Sequence, residues 1–173
     1  MRLSKEDRFI YTVENFLPKE DLIDLQLIMN NLELKYLNRQ DGSNIHFGFG
    51  SHIKAEKIQN GNFLKRVKQV FYPNDNLKAI ECRAHLRHNF KEPLPHVDAN
   101  QFAFLLYVKG EPLFNNGTGF YNEEGNLYHH IGFVENTAIF FNASEIKHST
   151  LQAFGKSSPR YCINIFYKAK NAE

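Results

Sequence analysis

The pattern of apolar and polar residues along the chain changes its period near residue 79. Before that point, apolar residues recur at helical spacing in two stretches. This spacing predicts an amphipathic helix over residues 18–34 and a second helix that ends at Pro73. Pro18 suits the first turn of a helix, where its missing N–H costs nothing. A strand over residues 9–16 is predicted to precede both helices.

From residue 79 onward, apolar residues recur with a period of two, as in strands that bury one face. The first of these strands alternates the apolar residues Ile80, Cys82, Ala84 and Leu86 with the polar residues Glu81, Arg83, His85 and Arg87. Further strands are predicted over residues 101–108, 127–134, 137–142 and 161–167. Turn signals separate the strands, including Asn115-Asn116-Gly117. The glycine-containing residues 38–52 are predicted to form a loop or an irregular hairpin.

Several short strands preceded by two helices predict a mainly β (α+β) chain. The expected architecture is a β-sandwich or barrel, with the N-terminal helices packed on one outer face of the sheet. The chain has 173 residues, of which 42% are hydrophobic and 14% aromatic, as is typical of a single globular domain. We therefore predict one domain over residues 1–173, with helical support over 18–72 and barrel strands over 79–168.

The net charge, the hydropathy and the cysteine content of the chain argue against several classes of function. The net charge of +2 is too small to indicate a nucleic-acid partner, and the sequence shows no basic stripe with stacking aromatics. No apolar run reaches the length of a membrane span. Cys82 and Cys162 each lie in an apolar, strand-like run, which indicates buried thiols rather than a disulfide. These features predict a soluble, cytoplasmic protein.

The residues His96-Val97-Asp98 are the strongest candidate for chemistry. Side chains two apart on a strand point to the same side, so an imidazole and a carboxylate here can hold one metal ion. His148 is the best third ligand, with His129 and His130 as rivals. Two histidines and one carboxylate form the facial triad of non-haem Fe(II) oxygenases. The alternative is a surface histidine followed by an aspartate in a turn, because the spacing alone is a weak signal.

Further sequence motifs accompany the three candidate metal ligands along the chain. Arg160 opens the last predicted strand, twelve residues after His148. The surrounding motifs are Val13-Glu14-Asn15-Phe16-Leu17-Pro18, Leu105-Leu106-Tyr107-Val108, Asn116-Gly117-Thr118-Gly119-Phe120-Tyr121 and Arg160-Tyr161-Cys162-Ile163-Asn164-Ile165-Phe166-Tyr167. Together with His96, Asp98 and His148, they resemble the Fe(II)/2-oxoglutarate-dependent dioxygenases, and among these the prolyl 4-hydroxylase-like branch.

The resemblance implies a double-stranded β-helix, a jelly-roll, cupin-like barrel with iron bound by His96, Asp98 and His148. It also implies a 2-oxoglutarate cosubstrate whose far carboxylate pairs with Arg160, since a guanidinium binds a carboxylate through two parallel hydrogen bonds. Tyr107 matches the tyrosine that contacts the same carboxylate.

Other positions in the cosubstrate pocket follow from the resemblance or from the strand period. Leu105 is expected in the pocket wall. Cys162 lies near the cosubstrate, at a position where many relatives have Ser or Thr. Asn116 departs from the family, which often has a second glycine there.

The implied reaction uses O2 and 2-oxoglutarate to hydroxylate an unactivated C–H bond, with release of succinate and CO2 and with ascorbate as a candidate reductant. The branch favours a prolyl or other peptidyl substrate, so the expected partners are a peptide, a protein or a small molecule, without membrane or nucleic acid. The candidate substrate-binding residues share the inner strand faces, and they are Arg83, His85, Arg87, Asn164 and Phe166.

Two rival classes stay open at this point. One is a cupin-like barrel that binds zinc or another metal without 2-oxoglutarate chemistry. The other is a jelly-roll interaction module without catalysis. Arg160 separates the first rival from the oxygenase, because a zinc barrel has no need for a cation placed to bind a dicarboxylic acid.

Overall fold

A computed structural model describes residues 7–33, 35–36, 49–52, 63–87, 94–150 and 159–170 of the chain. These residues form two helices and ten strands. The helices are α1 (Lys19–Asn30) and α2 (Phe63–Phe71). The strands are β1 (Ile10–Val13), β2 (Lys35–Tyr36), β3 (Phe49–His52), β4 (Leu77–Arg87), β5 (Phe102–Gly110), β6 (Leu113–Tyr121), β7 (Leu127–Phe133), β8 (Ala138–Phe141), β9 (Lys147–Thr150) and β10 (Arg160–Ala169).

The described strands form two sheets. The larger has seven strands in the order β1-β8-β5-β10-β4-β3-β2, and the smaller has three in the order β7-β6-β9. Every pairing between these described strands is antiparallel. Among the same residues, no helix is both long enough and apolar enough to cross a lipid bilayer.

Strand β5 shows how the large sheet separates two cores. Its side chains alternate between the two faces, because successive residues of a strand point in opposite directions. Phe102, Phe104, Leu106 and Val108 belong to one buried cluster. Ala103 and Tyr107 belong to the other, in which Leu105 also packs.

The first cluster joins the helices to the sheet. Leu25 and Met29 of α1 and Val67 and Phe71 of α2 are buried in the same cluster as Phe104. The Phe104 ring lies 5.5 to 5.9 Å from the rings of Phe16, Phe63 and Phe71. Truncating such a side chain typically costs about 3–5 kcal/mol, so this cluster is the principal apolar support of the large sheet.

The second cluster lies between the two sheets. It combines Tyr107, Phe141 and Phe166 of the large sheet with Phe120 and Phe133 of the small sheet. Apolar side chains from both sheets therefore line the space between them, and polar side chains that enter this space pack against apolar neighbours.

Several predicted boundaries need correction. The first helix ends at Asn30 rather than at residue 34, and the first strand covers only Ile10–Val13. Of the two alternatives for residues 38–52, the loop is wrong for the last four residues, because Phe49–His52 form β3, which pairs with β4. The irregular hairpin fits these four residues, because β3 also pairs antiparallel with β2. The rest of that loop, residues 38–48, lies outside the described residues.

The turn predicted at Asn115-Asn116-Gly117 is also wrong, because β6 runs through these residues. Gly117 serves a close approach between strands instead. A Cβ atom at this position would lie 1.7 Å from the carbonyl oxygen of Ile131 on β7. Glycine inside a strand is typical of such contacts.

The face assigned to Ile80 differs from the prediction. The pairing of β10 with β4 shifts register between Phe166, which faces Glu81, and Tyr167, which faces Ala79. The extra residue is Ile80, and its side chain is 42% exposed. A bulge thus removes Ile80 from the core, whereas Cys82 and Ala84 join it as predicted.

Candidate active site

The backbone brings His96, Asp98 and His148 together. His96 and His148 form an isolated antiparallel bridge, in which each backbone N–H donates to the other residue's carbonyl, at 3.1 and 2.9 Å. The N–H of Asp98 donates to the carbonyl oxygen of Ala143 at 2.8 Å. The three residues are therefore positioned by main-chain hydrogen bonds to β9 and to the turn that follows β8.

The three side chains converge on one point. His148 Nε2 lies 3.4 Å from Asp98 Oδ2, and His96 Nε2 lies 4.0 Å from Asp98 Oδ1. One candidate ligand atom from each residue lies within 4.8 Å of the others. Within the described ranges, this is the one group of three metal-ligating side chains that comes together.

Hydrogen bonds to carbonyl oxygens set the orientation of both imidazoles. His96 Nδ1 lies 3.0 Å from the carbonyl oxygen of Leu94, and His148 Nδ1 lies 3.0 Å from that of Ile146. Because a carbonyl only accepts, each Nδ1 donates a proton to it, which leaves Nε2 of each ring as the atom directed toward Asp98. Metal-bound histidines are typically oriented by such contacts.

The carboxyl group of Asp98 is ionised more readily than an ordinary aspartate. Burial is the largest single influence and acts to raise its pKa. The hydrogen bond and charge of His148, followed by the charges of His96 and Arg83, act in the other direction and together lower the pKa. The site therefore offers a carboxylate and two imidazole nitrogens on one side of a common point.

The rival histidines lie elsewhere. His130 Nε2 contacts the carbonyl oxygen of Phe114 at 2.8 Å. His129 is exposed and stacks on Phe120 at 5.9 Å. Neither belongs to the group of three ligating side chains found in the described residues.

A buried cation lies farther along the same interior. Arg160 is 2% exposed, and its Nη1 donates to Asn116 Oδ1 at 2.7 Å. Its guanidinium carbon lies 5.9 Å from the centre of the Phe133 ring. Its Nε is buried and has no hydrogen-bond partner among the described residues.

Tyr107 is fully buried near this cation. Its hydroxyl lies 2.8 Å from Thr118 Oγ1 and donates to the carbonyl oxygen of Ile131 at 3.3 Å. Burial raises the pKa of Tyr107 well above its ordinary value, although the charge of Arg160 and the hydrogen bond with Thr118 act to lower it. The hydroxyl is consequently neutral at physiological pH and can donate a hydrogen bond.

The remaining predicted positions line the interior of the large sheet. On β10, Cys162 pairs with Tyr107 and Asn164 pairs with Leu105. Directly opposite residues on paired strands share a face, and Cys162 and Phe166 belong to the cluster between the sheets.

On the other side of β10, Cys162 pairs with His85 and Asn164 pairs with Arg83 of β4. Arg83 forms an ion pair with Glu81 at 2.7 Å and lies 5.5 Å from the Phe166 ring. Arg87 pairs with Arg160 in the register, but its side chain lies outside the described part of the chain. Arg83, His85, Asn164 and Phe166 therefore share one interior face with the candidate cosubstrate residues.

Three residues of this interior were not predicted as site residues. The sequence predicts a turn at Asn116 and indicates no site role for Thr118 or Glu81. The spacing of Asn116, Thr118 and Phe120 on alternate positions was the signal that could have placed them on one strand face.

The sequence and the fold were compared with those of known proteins. No family model matches the sequence, and a search of curated proteins finds no similar chain. Solved structures do match. An oxidoreductase of the 2OG-Fe(II) oxygenase family from Burkholderia pseudomallei superposes with a TM-score of 0.72 at 13% identity, over 94% of this chain and 86% of that one. This chain has the fold of the 2OG-Fe(II) oxygenases.

Two further structures with the 2OG-Fe(II) oxygenase fold are similar. A prolyl-4-hydroxylase from Pseudomonas putida has a TM-score of 0.65 at 14% identity, over 95% of this chain and 94% of that one. HygX from Streptomyces hygroscopicus, with nickel, 2-oxoglutarate and hygromycin B bound, has a TM-score of 0.66 at 9% identity, over 94% and 83% of the two chains. The predicted resemblance, including its prolyl 4-hydroxylase-like branch, is confirmed at the level of the fold.

Proposed function

We propose that the protein is a 2-oxoglutarate-dependent Fe(II) oxygenase that hydroxylates an unactivated C–H bond. The proposal rests on two features that occur together in the space between the two sheets. One is the convergence of His96, Asp98 and His148 on one point. The other is the buried guanidinium of Arg160, a cation suited to the far carboxylate of a dicarboxylic acid.

The three ligands fit an Fe(II) ion. Two neutral imidazole nitrogens and one carboxylate on one side of a metal leave coordination positions open for other molecules. The Nδ1 contacts of both histidines keep Nε2 available. Iron bound there would supply the coupled reaction in which O2 and 2-oxoglutarate yield succinate, CO2 and a hydroxylated substrate.

The chain's own residues would then orient the cosubstrate. Arg160 would bind its far carboxylate, and the neutral hydroxyl of Tyr107 would donate its one proton to the same group in place of the long contact to the carbonyl oxygen of Ile131. Leu105 and Cys162, which face the same interior, would form the pocket wall. Thr118, hydrogen-bonded to Tyr107, would keep the phenol in place.

The substrate would contact Arg83, His85, Arg87, Asn164 and Phe166. Arg83 lies near the metal ligands, because its charge contributes to the lowered pKa of Asp98. A prolyl or other peptidyl residue is our first candidate, supported by the prolyl-4-hydroxylase neighbour. A small molecule is the second, supported by the hygromycin-bound neighbour. A need for ascorbate and a cytoplasmic location stay predictions.

A cupin-like zinc barrel is the second candidate function. Two histidines and a carboxylate are also a common ligand set for catalytic zinc, so the three ligands alone do not separate the two functions. The buried Arg160 favours the oxygenase.

Release of labelled CO2 from 2-oxoglutarate labelled at C1 tests this choice. The purified chain with Fe(II) and air is expected to release CO2 slowly even without substrate. His148→Ala should abolish this release, whereas the rival His129→Ala should retain it. Absence of release from the unchanged protein with Fe(II), together with tight zinc binding, would favour the zinc barrel.

A further inference from the structure

We propose that Asn116 is a positioning residue that turns Arg160 so that its Nε–Nη2 edge receives the far carboxylate of the cosubstrate. The inference rests on the proposed function and deepens it. It assigns a role to a residue of this chain that stands where the resembling family often has glycine, which has no side-chain acceptor.

The contact between the two residues is buried. Asn116 is 5% exposed and Arg160 is 2% exposed, and Arg160 Nη1 donates to Asn116 Oδ1 at 2.7 Å. A hydrogen bond from a charged donor is worth more than a neutral one. Asn116 therefore determines the direction of one of the three guanidinium nitrogens.

A guanidinium can bind a carboxylate bidentately through either of two edges. One edge consists of Nη1 and Nη2, and the other consists of Nε and Nη2. Because Asn116 accepts from Nη1, a carboxylate on the first edge would share that nitrogen with Asn116, whereas a carboxylate on the second edge would not. Nε is buried and unpartnered among the described residues, and a buried donor without a partner is costly enough to require an explanation. A carboxylate on the Nε–Nη2 edge supplies that partner.

The surroundings keep Arg160 from swinging away from Asn116. A Cβ atom at Gly110 would lie 3.1 Å from the Cβ of Arg160 and 2.8 Å from the ring of Phe133. The stem of Arg160 is therefore packed closely against β5, while the Phe133 ring lies 5.9 Å from the guanidinium carbon. Because the aliphatic part of the Arg160 side chain is held in place, the hydrogen bond to Asn116 determines which edge of the guanidinium is available to a carboxylate.

Two variants test the role of Asn116. Asn116→Ala removes the acceptor, which should weaken binding of 2-oxoglutarate about tenfold. Asn116→Asp keeps the side-chain shape but places a carboxylate on Arg160, which should weaken binding by on the order of a hundredfold through competition for the same cation. Dissociation constants are measured anaerobically with saturating Fe(II), and the affinity for the metal alone should not change.

A second measurement follows the NMR signal of the Arg160 Nε–H group. In protein labelled with ¹⁵N-arginine, the Nε–H signal of Arg160 is identified by its loss in Arg160→Lys. Adding 2-oxoglutarate should shift this signal in the unchanged protein, and the shift should be reduced in Asn116→Ala. If Asn116→Ala does not fold, the isosteric Asn116→Asp carries the test.

Asn136→Gly is the matched control. Asn136 is a buried asparagine that bonds the backbone of Leu17 through both side-chain ends at 2.8 Å, and glycine suits its φ of 63°. This variant should lose stability and keep its affinity for 2-oxoglutarate. Unchanged affinity and an unchanged Nε shift in Asn116→Ala would overturn the inference. Failure of the unchanged protein to bind 2-oxoglutarate would instead overturn the proposed function.

Discussion

The two ends of the space between the sheets are built differently. The metal end consists of His96, Asp98 and His148, whose side chains are 12–26% exposed. The floor consists of Tyr107, Asn116, Thr118 and Arg160, which are 0–6% exposed. His148 contacts Phe141, which pairs with Ala103 near the start of β5, whereas Arg160 pairs with Gly110 at its end.

The difference lies in what holds each end in place. At the metal end, main-chain hydrogen bonds fix the ligands and leave the Nε2 atoms directed at an accessible point. At the floor, side chains hold one another, and the Nε of the buried Arg160 has no partner within the described part of the chain. The exposure of the metal end suits the proposed binding of a metal ion, and the buried cation of the floor suits the proposed binding of an anion.

The largest expected effect is at the metal end. Asp98→Ala should lower Fe(II) affinity by more than about 100-fold, because changes to groups that merely orient the ligands already cost 10–100-fold. Fluorescence or calorimetric titration under argon measures it. Glu145→Ala, which removes an exposed carboxylate from the neighbouring turn, is the control. Equal affinity in both variants would contradict the assignment of Asp98 as a ligand.

The next effect separates the floor from the metal end. Arg160→Met should leave Fe(II) binding intact and weaken 2-oxoglutarate binding by about 100-fold, since a pair of charge-assisted hydrogen bonds is lost. The same titration with and without 2-oxoglutarate distinguishes the two ends. Loss of metal binding in this variant would show that the two ends are not independent.

A smaller effect is expected at Tyr107. Tyr107→Phe removes the contact with Thr118, which should cost about 1 kcal/mol of unfolding free energy and weaken 2-oxoglutarate binding severalfold. Because burial raises the pKa of Tyr107, the hydroxyl stays neutral, and the difference between the two proteins should be constant from pH 6 to pH 9. Urea unfolding and anaerobic titration across that range measure both quantities. A difference that changed near pH 8 would indicate an ionised phenol.

The pH dependence of the unfolding free energy tests the lowered pKa of Asp98 at the metal end. The folded pKa of Asp98 is lowered, so its carboxylate stabilises the apoprotein above the ordinary aspartate pKa of about 3.9. That contribution is lost as pH falls through the depressed value. Urea unfolding of the metal-free protein should show an advantage over Asp98→Asn at pH 6 that shrinks toward pH 2. A constant difference would contradict the lowered pKa.

The smallest effect concerns Cys82, on the helix side of the large sheet. Burial raises its pKa to about 12, so almost no thiolate is present at pH 8 and the thiol should react with a disulfide reagent only after unfolding. Timed labelling of the native and the denatured Cys162→Ser variant, in which Cys82 is the remaining thiol, measures the rate. Fast labelling of the native protein would contradict the tight core around Cys82.

The sequence predicted the site better than it predicted the strand between the two ends. Strand period predicted His96 and Asp98 on one side, but His96 makes only an isolated bridge and Asp98 lies outside any strand. Main-chain hydrogen bonds to His148 and Ala143 bring the two residues together instead. Arg160 followed from the resemblance of the last strand to the family's closing strand. Asn116 was misassigned because Asn and Gly usually mark turns. Only the approach of β7, with the carbonyl of Ile131 against Gly117, reveals why glycine stands inside β6. The bulge at Ile80 likewise depends on pairing with a strand about 80 residues away, which no local pattern records.

Anaerobic titration of the apoprotein with Fe(II) and 2-oxoglutarate, followed by visible absorbance, tests the central claim most directly. We expect a charge-transfer band that needs both additions and that is lost in His148→Ala and in Arg160→Met at moderate 2-oxoglutarate concentrations. The band should decay with succinate release on admission of air. A protein that binds Fe(II) but shows no band at any 2-oxoglutarate concentration would contradict it.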